Sequence, residues 1–158
     1  MTDSNDNSLA FLGIFVAVYL VALGLVLAFA LAYWALLSFA LSRFFAKVGV
    51  ATWTAWVPIY QYWKWLEVGG FTGAISLLYL IPGVRIAASV CLYIGMYRSG
   101  IAFRKGPAFI ILGIVLPFVW AFILAGDSET YEPELISQAG YPAPLAGFGS
   151  VARQQPTT

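Results

Sequence analysis

Histidine is absent from this chain, and cysteine occurs once, at Cys91. Without histidine there is no commonest general base, no commonest metal ligand, and no Ser–His or Cys–His nucleophilic pair. One thiol cannot form an internal disulfide, so cysteine usage carries no information on redox compartment. Charge is scarce as well. Asp, Glu, Lys and Arg make up 9% of the residues, where soluble domains carry about 25%. A net charge of +1 leaves nothing to neutralise a row of phosphates, so no nucleic-acid partner is expected. No catalytic, cofactor-binding or metal-binding constellation emerges from the residues, and no enzymatic activity or cofactor is expected.

What the chain has in excess is apolar surface: 61% of its residues are hydrophobic, and the mean hydropathy is +0.86. Leu9 through Leu41 runs without one charged residue. A hydrocarbon core of about 30 Å needs about 20 apolar residues of helix at ~1.5 Å each. The run therefore predicts a transmembrane helix with turns to spare. Met1–Ser8 holds Asp3 and Asp6 and no Lys or Arg, and the run exceeds the roughly 7–15 residues of a signal-peptide core. Arg43 and Lys47 follow at once. By the positive-inside rule the segment reads as an uncleaved anchor, with the N-terminus extracytoplasmic and the downstream flank in the cytoplasm.

Three regions are predicted: an N-terminal tail (1–8), a helical transmembrane domain (9–125) and a flexible Pro/Gly/Ala-rich tail (126–158). The tail carries almost no apolar periodicity with which to offset the entropy of ordering. The expected fold class is all-α: a polytopic integral membrane protein with a long first helix, an interfacial or re-entrant aromatic helix, a kinked span and a final span. In the aromatic part, Trp53, Trp56, Tyr60 and Trp63 recur at three- and four-residue spacing, which predicts one helix face at headgroup level. Pro58 should bend it, and Lys64 and Glu67 are spaced to pair at the water side. Residues 71–97 are apolar but broken at Pro82-Gly83. They either cross once with a kink, which their length favours, or enter, turn and return, which would gather the basic flanks on one side. The kinked span is the preferred reading. Residues 107–125, between Lys105 and Asp127, are of spanning length.

In lipid, helices associate mainly through close approach at small residues. Gly24 and Ala28 in the first helix, and Gly83, Ala87, Cys91 and Gly95 later, are the candidate helix-packing positions. They would serve intramolecular packing or docking of another membrane protein. Arg85 stands alone in an apolar stretch, and such residues often mark function. It is expected either at a turn or headgroup, reached by its long stem, or paired with Glu67. Arg85, Lys64, Glu67, Trp56 and Trp63 are the candidate polar or lipid contacts.

The strings VPIYQYWKWLEVGG (57–70), LIPGVRI (80–86), FRKG (103–106) and VLPFVWAFILAGDSETY (115–131) together resemble an uncharacterised bacterial membrane-domain family of unknown function, DUF5684. Its members carry a long first helix, a P-[IL]-Y-N block, an I-P-x-V-N block and an F-G-K-G turn. The chain departs at the polar landmarks: Gln61 and Arg85 stand where the family prefers Asn, and Arg104 where it prefers Gly. The resemblance implies a bacterial inner-membrane protein and brings no assigned activity.

The expected function is that of a small accessory or structural subunit, associating with a larger membrane complex through its small-residue helix faces. The alternative is a small transport or lipid-handling protein built on the broken helix around Pro82-Gly83-Arg85, as in transporters. A Ser–Lys hydrolase is disfavoured, because Ser42 and Lys47 lie off a common helix face. Expected partners are membrane lipids and other integral membrane proteins or a second copy.

Overall fold

The computed structural model describes residues 3–149, with side chains from Leu9 onward. Among the described residues every regular element is helical. The chain divides into two units, Met1–Ala35 and Leu36–Thr158.

The first unit is the greater part of α1 (Asp3–Val48). Residues 9–33 contain no proline and are exposed on every face. Phe29, for example, is 81% exposed. Among the described residues α1 alone is long and apolar enough to cross a membrane, with a mean hydropathy of 2.9 over its best window and none of that window buried.

From Leu36 onward the same helix becomes one-sided. Leu37, Ala40, Leu41, Phe44, Phe45 and Val48 are buried, and steps of three and four residues keep them on one stripe. The second unit packs around that stripe. After α1 come a 3₁₀ turn (Thr52–Trp56), α2 (Tyr60–Val68), a 3₁₀ segment (Gly73–Leu80) and α3 (Arg85–Ala102). Then follow α4 (Phe109–Val115), α5 (Pro117–Leu124) and the short α6 (Glu134–Gln138). Trp120 is at the centre, fully buried. Its ring lies 5.4 Å from Phe44, 5.9 Å from Trp65 and 6.3 Å from Phe109.

Four sequence expectations need correction here. The aromatic stretch is two elements instead of one bent helix. Pro58 interrupts it, and Ile59 takes φ 67° and ψ −47° with Tyr60 N–H donating to Pro58 O at 2.8 Å. That is a γ-turn in its rare, strained form.

The expected kinked span is a hairpin. Gly69 lies against Gly95, close enough that a Cβ on Gly69 would come within 2.3 Å of the Gly95 Cα. The two glycines flank Pro82 at equal sequence distance. Gly83 supplies the left-handed turn at φ +90°, a conformation open to a residue without Cβ. The final span is a hairpin too. Phe109 and Trp120 meet at 6.3 Å, whereas eleven residues of straight helix would separate them by about 16 Å. Pro117 opens α5 as its first residue, where its missing N–H costs nothing, and Leu116 breaks the helix at φ −135°, ψ 71°.

The tail expected to be flexible is ordered through residue 149, because its backbone donors bond the last turns of two helices. Leu145 N–H donates to Glu67 O at 2.8 Å and Gly149 N–H to Val48 O at 3.0 Å. These carbonyls belong to the last turns of α2 and α1, which are also closed locally by Phe71 N–H to Leu66 O and Val50 N–H to Phe45 O. Ile136 is buried against the core, and Tyr131 Oη donates to Gly147 O at 2.7 Å. Burial raises the Tyr131 phenol above the ordinary tyrosine range. The remainder of the predicted tail, 150–158, lies outside the described residues.

Candidate functional site: the charged and aromatic end of the second unit

The candidate lipid and polar contacts on α2 form one connected group. Trp53 stacks on Tyr60 at 5.7 Å, and Tyr60 meets Trp63 at 6.4 Å. Lys64 Nζ lies 5.5 Å from the Tyr60 ring centre and 2.7 Å from Glu67 Oε2. Trp63 Nε1 donates to the other Glu67 oxygen at 2.7 Å. Both Glu67 oxygens are thus engaged, and the hydrogen bond from Lys64 raises the lysine pKa. Glu67 is bound to Lys64 and Trp63, so the expected Arg85–Glu67 pair does not form. Trp53 is 61% exposed and Trp56 is exposed. A cleft of about 340 Å³ opens here, lined in part by Trp53, Tyr60, Lys64 and Phe148.

Next to this group is a second set that spacing gave no hint of. Arg104 Nε and Nη2 donate to the two Glu132 oxygens at 3.0 and 2.8 Å. Lys105 pairs with Glu129 at 2.6 Å, and Lys47 donates to Gly126 O at 2.8 Å. Lys47 in the last turn of α1 and the two basic residues after α3 are therefore answered by the segment 126–132. Arg98 uses a different partner, lying 4.3 Å from the Phe71 ring centre and 5.2 Å from that of Tyr141.

Arg104 has φ 57°, in the left-handed region where side chains are strained. That explains the glycine preference of the resembling F-G-K-G turn. Here the fork of hydrogen bonds to Glu132 holds the arginine in place, and those bonds lower the Glu132 pKa. Arg104→Gly should relieve the backbone and lose the pair, leaving thermal stability near wild type at neutral pH. Arg104→Ala keeps the strain and loses the pair, and should lower Tm by about 2–4 °C. The sign with pH follows from a depressed carboxylate. The pair stabilises above the ordinary value of 4.5 and is lost as pH falls through the lower folded value. Thermal melts of the three proteins from pH 7 to pH 3 check both statements; equal acid sensitivity in all three would refute them.

The small-residue stripe divides in two. Gly95 and Ser99 are buried on α3, Cys91 is half-buried, and Gly83 and Ala87 are exposed. A Cβ at Gly83 would meet nothing within 4 Å. Intramolecular packing therefore holds for the second half of the stripe and not the first. Gly24 and Ala28 are exposed, and Gly24 also faces open space. Arg85 is exposed at the first turn of α3 and among the described residues forms no ion pair. Gln61 is buried, with no donor within reach of its Oε1 among the described residues. No group of three or more His, Cys, Asp or Glu placed to hold a metal occurs among the described residues.

Fold and surface together define a class: an all-helical protein with one apolar helix of membrane-crossing length, followed by a compact body of helical hairpins. The model of a family of unknown function (DUF5684) matches residues 53–133, half of the chain, and the protein belongs to that family. The matched stretch runs from the exposed Trp53 through both hairpins to the Glu132 that holds Arg104. No curated protein and no solved structure matches the chain.

Proposed function

We propose that this protein is a small integral membrane accessory subunit, held in the bilayer by α1 and associating with a larger membrane assembly. The observation that supports it is the first unit. Residues 9–33 expose apolar side chains on every face, with none of the most apolar window buried. Hydrocarbon is the solvent in which such a surface is stable. Gly24 leaves an open notch on it, of the kind where a second helix can approach closely. The proposed location is a bacterial inner membrane, with the N-terminus extracytoplasmic and Arg43 and Lys47 on the cytoplasmic side. The transport alternative has less behind it, since Arg85 is exposed and lines none of the described clefts.

The test is purification of the tagged full chain in gentle detergent, as wild type and as Gly24→Leu, Gly95→Ala serving as a control. The proposal expects wild type and the control to migrate with a larger membrane assembly that reforms on mixing the purified parts, and Gly24→Leu to lose it. A monodisperse protein that alone moves an ion or lipid across liposomes, at a rate abolished by Arg85→Ala, would replace this reading with transport.

A further inference from the structure

The charged pairs of the second unit gather at one end, beside the exposed Trp53 and Phe148, and a separate group of exposed aliphatic side chains lies at the other. The charged end holds the Lys47 bond to Gly126 O, the Lys105–Glu129 pair and the Arg104–Glu132 pair. The C-terminus of α3 belongs to this end, because Ala102 O accepts from Glu132 N–H at 2.9 Å. The 18 residues of α3 then carry its start about 26 Å away. There the first hairpin turns, exposing Leu80, Ile81, Val84 and Ile86, the last 69% exposed. The second hairpin turns the same way. Phe122 packs on Phe39 at 5.9 Å and Gly126 meets Lys47, so α5 and the end of α1 rise side by side. Its tip therefore comes level with Leu36 and exposes Ile114, Val115 and Leu116, with Val115 at 67%.

We infer that both hairpin tips are inserted among the acyl chains of the bilayer that α1 crosses, entering and leaving on the side where α1 ends. The inference rests on the anchoring proposed above. Continuity of the chain selects lipid as the occupant. The uncharged run of α1 continues into the second unit to Leu41, and the first charge is Arg43. With Arg43 at the headgroups, Leu36 lies about 10 Å deeper, in hydrocarbon, and the tips lie at that depth or beyond. Lipid requires that backbone polar groups be satisfied internally, and several at the tips are. Ile81 N–H donates to Leu78 O at 3.1 Å, Val84 to Ile81 O at 3.3 Å and Leu116 to Leu112 O at 2.7 Å. Pro82 and Pro117 have no N–H to satisfy. Arg85, the one charge on this surface, stands a helix length from the charged end. Its backbone stays at acyl-chain depth, and its long stem lets the guanidinium reach toward the opposite headgroups.

The test uses the full chain in liposomes, in a Cys91→Ala background, with one fluorophore at Leu20→Cys, Leu80→Cys, Val115→Cys, Thr52→Cys or Thr130→Cys. All five positions are exposed. Lipids brominated on the acyl chain and aqueous iodide are the two quenchers. Labels at 20, 80 and 115 should lose most of their fluorescence to brominated lipid and little to iodide. Labels at 52 and 130 should do the reverse, and an impermeant thiol reagent should reach both from one side. Iodide quenching at 80 and 115 with position 20 still in lipid overturns the insertion alone. Tips shielded from both quenchers would mean that protein covers them, and positions 52 and 130 on opposite faces would mean a crossing; either outcome overturns the inference. Iodide quenching at position 20 defeats the anchoring proposal itself.

Discussion

Gly69→Ala should destabilise the folded body by about 3 kcal/mol, the upper end of what overpacking a filled site costs. Gly95→Ala, at the other side of the same contact, should cost almost nothing. The asymmetry is geometric. A Cβ at Gly69 would sit 2.3 Å from the Cα and 2.8 Å from the carbonyl carbon of Gly95, both backbone atoms that cannot rotate away. A Cβ at Gly95 would meet the Gly69 Cα at 3.5 Å and Phe71 Cδ2 at 3.7 Å, ordinary contact distances. Gly95 also lies inside α3, where alanine is favoured over glycine by about 1 kcal/mol. Denaturant unfolding in detergent micelles, followed by tryptophan fluorescence, gives both numbers. Equal losses at the two positions would show that α2 and α3 do not touch there.

Trp120→Ala should cost about 3–5 kcal/mol, the range for removing a fully buried large aromatic. Trp120 is completely buried and touches α1, α2 and α4 through Phe44, Trp65 and Phe109. Gly113 leaves room for it: a Cβ there would come within 3.0 Å of Trp120 Cδ1 and 2.6 Å of Met96 Cε. Truncation would leave a cavity where four helices meet, and none can close it without moving the others. Trp120→Phe should lose much less, because it fills most of the space and removes an indole N–H that has no partner. In the same melts Trp56→Ala, at an exposed position, should stay within about 0.5 kcal/mol of wild type. A Trp120→Ala protein as stable as Trp56→Ala would mean that the core is not organised around this ring.

The parts legible from sequence are those with a local cause. Uniform apolarity over Leu9–Leu41 marks α1, and a spacing of three marks the Lys64–Glu67 pair. The stripe from Gly83 to Ser99 was legible only in part, for a reason that lies in helix geometry. A step of four residues overshoots a turn of about 3.6 residues by roughly 40°. Three such steps within α3, from Ala87 to Ser99, turn the stripe by about 120°, so Gly95 and Ser99 face the core while Ala87 faces out. The final apolar stretch was counted as a span by length, although Pro117 already marked the start of a second helix. Arg104–Glu132 and the capping by Leu145 and Gly149 join residues far apart in sequence. Backbone donors leave no pattern in composition, and a Pro/Gly-rich stretch suited to capping looks the same as one suited to disorder.

The bond from Gly149 N–H to Val48 O closes a loop of about a hundred residues. Leu145 N–H bonds the last turn of α2 in the same way, so one C-terminal segment joins the ends of both helices. A chain truncated before Leu145 would expose the apolar faces of Val48 and Val68 that Gly147 otherwise covers. The end of the first helix therefore gains its last tie to the body only when residues 145–149 have been made.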